Sequence, residues 1–352
     1  MGVTAVNLLD DIIQQYQLTP FDQRSGALDT IKLVIATGQA IHGFHYAANL
    51  ARPSFTVHAP PSQAISALTK IATVTGNLIA FATSAGQLHL LNDQGMCLEQ
   101  RQISTSPLWS ITSAQVGQQL LLFATAADST IRVCDSCGAL LGTIETPGPV
   151  LSLAIKLMEG KTILLGGLRN KNHVCVWDLQ AVIQRQDAAP IAILQGGRQP
   201  AFATTFIERI DSLWLAHGCW DNRLYFYHWP PGNGRKIISP FLQLKAPHPI
   251  YSIQSVAFDN DLYLLASTAN GDVLAWDIMN GKNSDMITVA RLGTRVKQMK
   301  AVKLGNQWYL LAGDGNGRLT IAHLTDNLYL SEIVNTLTTN NGDIRGIEII
   351  NG

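Results

Sequence analysis

Residues 173–178 read HVCVWD, and residues 272–277 read DVLAWD. Each stretch follows a long apolar run and a short polar turn, and each ends in a Trp-Asp pair. The same order of apolar run, turn and short strand recurs in five further places along the chain. The turns are rich in Gly, Asn and Asp, which accept positive φ at little cost. The pattern therefore predicts a repeated unit built from β-hairpins.

Seven units align on one turn position and on a second position five residues later. The turn positions lie 43 to 50 residues apart, at Gln39, Gly86, Ser129, Asn172, Asn222, Gly271 and Gly317. The later positions are Phe44, Leu91, Cys134, Trp177, Tyr227, Trp276 and Ala322. The spacing is close to the ~40–45 residues of a four-stranded propeller blade. We therefore predict an all-β fold, a seven-bladed propeller of four-stranded antiparallel blades in which this column of seven residues is buried.

An alternating first strand precedes the apolar run of each blade. The predicted first strands are 65–71, 108–114, 150–157, 201–207, 250–258, 296–302 and 344–350. The last, IRGIEII, has no later strands, whereas the first unit has no first strand before it. We predict that the C-terminal strand joins the N-terminal blade, which closes the ring and removes an exposed sheet edge.

The chain divides into residues 1–26 and a propeller at residues 27–352. The leading segment carries apolar residues at helical spacing, namely Val6, Leu9, Ile12, Ile13 and Tyr16, with Thr4 placed as an N-cap. We predict a short N-terminal helix followed by a linker. The helix could pack against the propeller wall, or dock a partner, or be the remnant of a connection to a longer protein.

Composition narrows the class of protein. Of 352 residues, 47% are apolar and 14% are charged, against roughly 25% charged in an ordinary domain. Zero net charge argues against nucleic acid or anionic lipid as the main partner. We read no signal peptide and no apolar run of the ~18 residues needed to span a bilayer. Five cysteines fit reduced thiols, and we expect a cytoplasmic protein.

The chain resembles the WD40-repeat family over residues 27–352. Trp177-Asp178 and Trp276-Asp277 stand where the family has its Trp-Asp pair, and Gly196-Gly197 stands where the family has Gly-His. Because none of the blades supplies that His, the family's hydrogen-bond network of His, Ser or Thr, Trp and Asp is incomplete here. The resemblance is therefore to divergent members.

One column on the first strands is the candidate binding site. The residue after the first apolar residue is Ser66, Trp109, Leu151, Phe202, Tyr251, Lys297 and Arg345 in successive strands. The resemblance implies that this column lies at the mouth of the central channel. Loops between second and third strands would add Trp220, Arg169 and Lys171 on the same face. Aromatic and basic side chains suit an acidic or aromatic-anchored peptide, although the rings could simply plug the channel.

Other motifs point to no chemistry. CDSC at residues 134–137 is a lone Cys-x-x-C pair without a second pair at zinc-ligand spacing. The chain has neither G-x-S-x-G nor H-E-x-x-H. We predict no cofactor, no metal and no enzymatic activity.

The leading hypothesis is a non-catalytic scaffold, a monomeric propeller that binds a protein or peptide within a complex. One alternative is the sensing domain of a larger signalling or defence protein. Another is an accessory subunit for RNA modification or binding, which would use a basic patch of Arg291, Arg295, Lys297, Lys300 and Lys303.

Overall fold

The computed structural model describes residues 31–45, 53–73, 76–158, 160–170, 173–184, 188–210, 212–231, 236–258, 261–279, 285–304, 307–325, 328, 330–339 and 342–351. The predicted helix within residues 1–26 lies outside these ranges, as do Lys171 and Asn172. The described strands form seven sheets, each with four antiparallel strands in the order inner, second, third, outer. The prediction of a seven-bladed propeller is confirmed.

The inner and second strands of the seven blades lie nearest the centre of the ring. The inner strands of blades 1 to 7 are β29 (Ile344–Asn351), β4 (Ile65–Thr73), β8 (Leu108–Val116), β12 (Val150–Met158), β16 (Ala201–Arg209), β21 (Ile250–Phe258) and β25 (Val296–Leu304). The second strands are β1 (Ile31–Thr37), β5 (Gly76–Thr83), β9 (Gln119–Ala126), β13 (Lys161–Leu168), β17 (Ser212–Cys219), β22 (Asp261–Thr268) and β26 (Gln307–Asp314). All seven predicted first strands are present.

The third and outer strands complete each blade. The third strands are β2 (Ala40–His45), β6 (Gln87–Asn92), β10 (Thr130–Asp135), β14 (His173–Asp178), β18 (Arg223–Trp229), β23 (Asp272–Asp277) and β27 (Arg318–Leu324). The outer strands are β3 (Phe55–His58), β7 (Cys97–Gln102), β11 (Leu140–Glu145), β15 (Ala192–Gln195), β20 (Leu242–Lys245), β24 (Met286–Arg291) and β28 (Leu330–Thr338). In blade 4, β19 (Ile237–Ile238) pairs in parallel with β15 and covers that sheet edge.

Asp178, the acid of the first Trp-Asp pair, caps the one helix in the described residues, α1 (Leu179–Ile183). Its carboxylate accepts hydrogen bonds from the backbone N–H groups of Gln180 (3.1 Å) and Ala181 (3.4 Å). These two N–H groups belong to the first turn, where the helix itself offers them no acceptor.

The hydrophobic core is divided among the interfaces between blades. The described buried apolar residues fall into seven clusters, and each cluster joins two neighbouring blades, including blades 7 and 1. The predicted third-strand column is buried throughout, from Trp177 and Ala322 at 0% exposure to Phe44 at 5%. Since each blade packs on two others, both faces of its central strands must be apolar.

The C-terminal strand closes the ring. β29 pairs antiparallel with β1, with Leu33 opposite Ile349 and Ile35 opposite Ile347. Ile344 and Ile347 also pack in the cluster that joins blade 7 to blade 1. β29 therefore belongs to the sheet of the N-terminal blade and also contributes to its interface with the last blade.

The turns between second and third strands match the predicted hairpin chemistry. The described turn residues with positive φ are Gly86, Ser129, Asn222, Gly271 and Gly317. At Gly86 a Cβ would lie 2.0 Å from the carbonyl oxygen of Ser104, so the turn also requires a residue without a side chain.

Candidate functional site

A β-bulge stands near the start of every inner strand. In blade 3, Leu108 pairs with Ala126 and Ser110 with Thr125, which leaves Trp109 as the extra residue. The same irregularity recurs in each blade and leaves extra residues at Ser66, Trp109, Leu151, Phe202, Tyr251, Lys297 and Arg345. A bulge re-aims the side chain of its extra residue. The column predicted from the sequence is therefore a ring of seven bulges.

The bulge residues surround a central cavity of about 370 Å³. Six of them line it directly, and Lys297 does not. The first strands also contribute hydroxyl and amide groups to the wall, among them Ser110, Thr204 and Gln254. Deeper in the wall, the Lys300 ammonium lies 2.6 Å from a carboxylate oxygen of Glu348. The cavity is thus polar below its mouth.

Three rings from two blades meet at one side of the mouth. The centroid of Phe202 lies 5.3 Å from that of Trp220 and 5.6 Å from that of Tyr251, and Trp220 lies 6.3 Å from Tyr251. Trp220 belongs to the loop between β17 and β18 and is 42% exposed. We call Phe202, Trp220 and Tyr251 the aromatic cluster. Their contact confirms that these loops and the bulges share one face.

Trp109 contacts a second residue predicted for this face. The Arg169 guanidinium carbon lies 5.3 Å from the centre of the Trp109 ring, within range of a cation–π interaction. Arg169 lies in the loop after β13 and is exposed. Leu151 occupies the bulge of blade 4, between those of Trp109 and Phe202, so blades 3 to 6 present a continuous apolar arc.

The bulges of blades 7 and 1 are charged, and one acid binds them together. The Asp343 carboxylate contacts the Lys297 ammonium, lies 3.3 Å from the Arg295 guanidinium and lies 3.6 Å from that of Arg345. Burial alone would raise the pKa of Asp343, but the hydrogen bond from Lys297 and the three positive charges hold it below its usual range. Three cations against one anion leave this side of the mouth with a net charge of +2.

Three of the basic residues predicted to form an RNA-binding patch contact acidic residues. Of the five residues proposed as an RNA-binding patch, Arg295 and Lys297 contact Asp343 and Lys300 contacts Glu348. Arg291 and Lys303 are exposed and carry no ion pair with any described residue. Lys297 and Arg345 were predicted at the mouth from the sequence, but Asp343 was not. Its contact with Lys297 forms only when the closing strand brings Asp343 beside blade 7.

The loop that carries Trp220 is anchored by Asp221. One carboxylate oxygen of Asp221 accepts hydrogen bonds from the Arg198 backbone N–H (3.1 Å) and from the Tyr225 hydroxyl (2.7 Å). Gly196 and Gly197 let the loop pack this closely, since a Cβ at Gly196 would lie 2.4 Å from the Tyr227 hydroxyl oxygen and one at Gly197 would lie 3.0 Å from an Asp221 carboxylate oxygen. The backbone of the Gly-Gly-Arg loop thus holds the loop that carries Trp220.

Blade 7 has a different contact between the loop before its inner strand and its second strand. The Thr294 hydroxyl donates to the buried carboxylate of Asp314 over 2.5 Å, and Asp314 also accepts from the backbone N–H of Asn316. Asp314 ends β26, whereas Asp221 lies in the turn after β17, so the two acids occupy different positions in their blades. In blade 4 the buried indole N–H of Trp177 has no acceptor among the described residues.

Reactive groups do not gather at the mouth. The described residues that line the cavity include no His, Cys or Asp, and the described residues contain no cluster of three or more His, Cys, Asp and Glu able to hold a metal ion. Cys134, on the third-strand column, is a free thiol whose pKa is raised to about 12, first by burial and then by Asp135. The arrangement offers shape, rings and charge for binding.

No family model and no curated protein matches the chain. Among the described residues, no helix has the length and apolar character needed to cross a membrane.

Proposed function

We propose that this chain is a non-catalytic interaction scaffold that binds a protein or peptide partner at the mouth of its central channel. The observation that carries the proposal is the aromatic cluster. Three large rings from two inner strands and one loop touch one another at one edge of the mouth, and the indole of Trp220 stays 42% exposed. Large, preformed aromatic surfaces of this kind dominate the binding energy of protein interfaces.

The cluster is preorganised, which supports binding over a plug. Bulges fix the backbones of Phe202 and Tyr251, and Asp221 fixes the loop of Trp220. Aromatic side chains in such a frame lose little conformational freedom when a partner covers them. An aromatic side chain that served only to fill the channel would be buried, whereas Trp220 is 42% exposed.

We further propose that the propeller is of the WD40 type. Trp177-Asp178 and Trp276-Asp277 close the third strands of blades 4 and 6, and Gly196-Gly197 occupies the loop before an inner strand. In blade 5, where Gly197 stands at the family's His position, the backbone N–H of Arg198 donates to Asp221 instead. A blade that keeps this contact while changing the donor fits a divergent member of that family.

Removal of two rings tests the proposal. In affinity purification with quantitative mass spectrometry, we expect the Trp220→Ala/Tyr251→Ala variant to lose its specific partners at least about tenfold, as for truncated hot-spot residues. Ile210→Ala is the matched control, because Ile210 is 92% exposed and follows the opposite end of β16. If Trp220→Ala/Tyr251→Ala and Ile210→Ala recover every partner equally, and both melt at the temperature of the wild type, the aromatic cluster is not the binding surface.

A further inference from the structure

A second cavity lies outside the mouth, between the outer parts of blades 4 and 5. Its volume is about 630 Å³, and we call it the rim cleft. The loop before β16 forms one wall, and the start of β18 together with β20 forms the other. The cleft is lined by Arg198, Asp221, Arg223 and Gln243, among others.

Two arginines face the rim cleft without an acidic partner. Arg198 and Arg223 are both exposed, and neither has a carboxylate oxygen of a described residue within 4.0 Å. One guanidinium nitrogen of Arg223 donates to the Gln243 side-chain oxygen over 3.2 Å, which holds the group beside β20 on one wall of the cleft. This differs from the mouth, where Asp343 already contacts Arg295, Lys297 and Arg345.

The acid that lines the cleft is turned inward. One oxygen of Asp221 accepts from the Arg198 backbone N–H and the Tyr225 hydroxyl, and the other is buried from solvent. Two cations against one anion leave the cleft with a net charge of +1. The exposed guanidinium groups therefore present positive charge to an incoming ligand, and guanidinium is the side chain best suited to hold a carboxylate.

The rim cleft and the aromatic cluster share one loop. Trp220 and Asp221 are consecutive residues, so one loop contributes to both sites. The Cα atoms of Trp220 and Arg223 can lie at most about 11 Å apart, the length of three residues of chain. An extended peptide rising about 3.3–3.6 Å per residue would cover that distance with about three residues.

We propose that the rim cleft binds an acidic side chain of the same partner peptide that packs on the aromatic cluster. The recognised element is then an aromatic or large aliphatic residue with an Asp or Glu about two to five residues away. This inference rests on the proposed function, because it takes the aromatic cluster as the first contact. It assigns the acid preference to Arg198 and Arg223 and not to Lys297 and Arg345.

Peptide display on the full chain tests the assignment. A phage-displayed library of random peptides about twelve residues long is selected on the wild-type chain, and the affinity of enriched peptides is measured by fluorescence polarisation. We expect peptides that combine a large apolar residue with an acid. Arg198→Gln/Arg223→Gln should weaken them at least about tenfold, the usual effect of losing hydrogen bonds to a charged group. Replacement of the peptide's acid by its amide should remove this difference.

Two further variants separate the possible outcomes. Arg291→Gln/Lys303→Gln removes the same charge from exposed residues elsewhere and should leave affinity unchanged. Full binding by Arg198→Gln/Arg223→Gln, or loss of acid preference in Lys297→Gln/Arg345→Gln instead, would overturn the assignment. If Trp220→Ala/Tyr251→Ala binds the same peptides as the wild type, or if none is enriched, the proposed function itself fails.

Discussion

Trp177 and Trp220 lie in adjacent blades and have opposite surroundings. Trp177 is fully buried at the interface of blades 3 and 4, whereas Trp220 is 42% exposed beside Phe202 and Tyr251. The residue type is the same, but the position differs, since Trp177 lies in a third strand and Trp220 lies in a turn. At the scale of single residues, position within the blade separates a buried core residue from an exposed one.

His217 is a buried titratable group outside the cavity lining and the aromatic cluster. It has no exposed surface, and neither ring nitrogen has a hydrogen-bond partner among the described residues. Its neighbours are the rings of Tyr225 and Tyr227, at 5.0 and 5.6 Å, and His173. Burial first, and the charge of His173 second, lower the pKa of His217 to about 3. The side chain therefore stays neutral in the folded protein.

This burial makes stability depend on pH. Between about pH 6.5 and 3 the unfolded chain binds a proton at His217 that the folded chain does not, so the free energy of unfolding falls as the solution is acidified. His42 and His89, whose pKa values burial also lowers, act in the same direction. Asp343 adds to the trend, because its lowered pKa gives stability that is lost as pH falls through the folded value.

We expect His217→Phe to reduce the loss of stability on acidification. One such histidine accounts for about 2 kcal/mol at about pH 5. At neutral pH the variant should equal or exceed the wild type, since two unpartnered buried nitrogens are removed. Denaturant unfolding at both pH values measures this. His228→Phe, at an exposed residue stacked on Phe241, is the control. An identical pH dependence in all three proteins would contradict the prediction.

At the scale of strands, each bulge is followed by a second regular feature. The residue after the bulge pairs with a small residue on the second strand, in order from blade 1 Ala36, Ala82, Thr125, Gly167, Gly218, Ser267 and Gly313. The next blade packs against this column. A Cβ at Gly218 would lie 2.5 Å from Ile250, and one at Gly313 would lie 2.5 Å from Ile344. Small residues thus set how closely neighbouring blades approach.

Gly313→Ala should destabilise the junction of blades 7 and 1. The new methyl group would clash with Ile344, whose branched Cβ leaves it little freedom to move. We expect a loss of about 1–3 kcal/mol in the free energy of unfolding, the range for an overpacked core. Gly142→Ala is the control, because no atom lies within 4 Å of its Cβ position. Addition of Ile344→Ala to Gly313→Ala should cost less than the two single changes together, and simple additivity would count against the contact.

At the scale of the whole molecule, the ring depends on β29. β29 is the inner strand of blade 1 and carries the bulge residue Arg345. It also contributes residues to the hydrophobic cluster between blades 7 and 1. It also follows Asp343, which holds Lys297 and Arg295 from the neighbouring blade. Loss of this one strand would expose the edge of β1 and open the interface between blades 7 and 1.

We therefore expect deletion of residues 343–352 to cause cooperative loss of stability or aggregation. An unpaired β1 edge is a template for pairing with another chain. A synthetic peptide of residues 343–352 added during refolding should restore part of the stability by pairing with β1, as strand addition does elsewhere. Thermal melting with light scattering measures both effects. A melting curve equal to that of the full chain would contradict the role of the closing strand.

The sequence by itself determined the ring. The fold follows from local patterns, namely the repeat spacing, turn residues such as Gly86 and Asn222, and the apolar column through Trp177 and Trp276. Each pattern can be recognised from the sequence because it reflects local hydrogen bonding or burial. The same reasoning found the column of seven bulge residues, although not the bulges, because register is a property of two paired strands.

Only the tertiary structure decided which of those residues act together. The aromatic cluster joins Phe202, Trp220 and Tyr251 from two blades, and the Asp343 contacts join the residue just before the closing strand to residues of blade 7 that lie 46 and 48 positions earlier in the chain. The rim cleft could not be predicted from the sequence, since Arg198 lies in the loop before β16, Arg223 begins β18, and neither belongs to a motif. Contacts between blades form only when the sheets pack side by side, which brings distant segments within a few ångströms, and no pattern along a single strand records them.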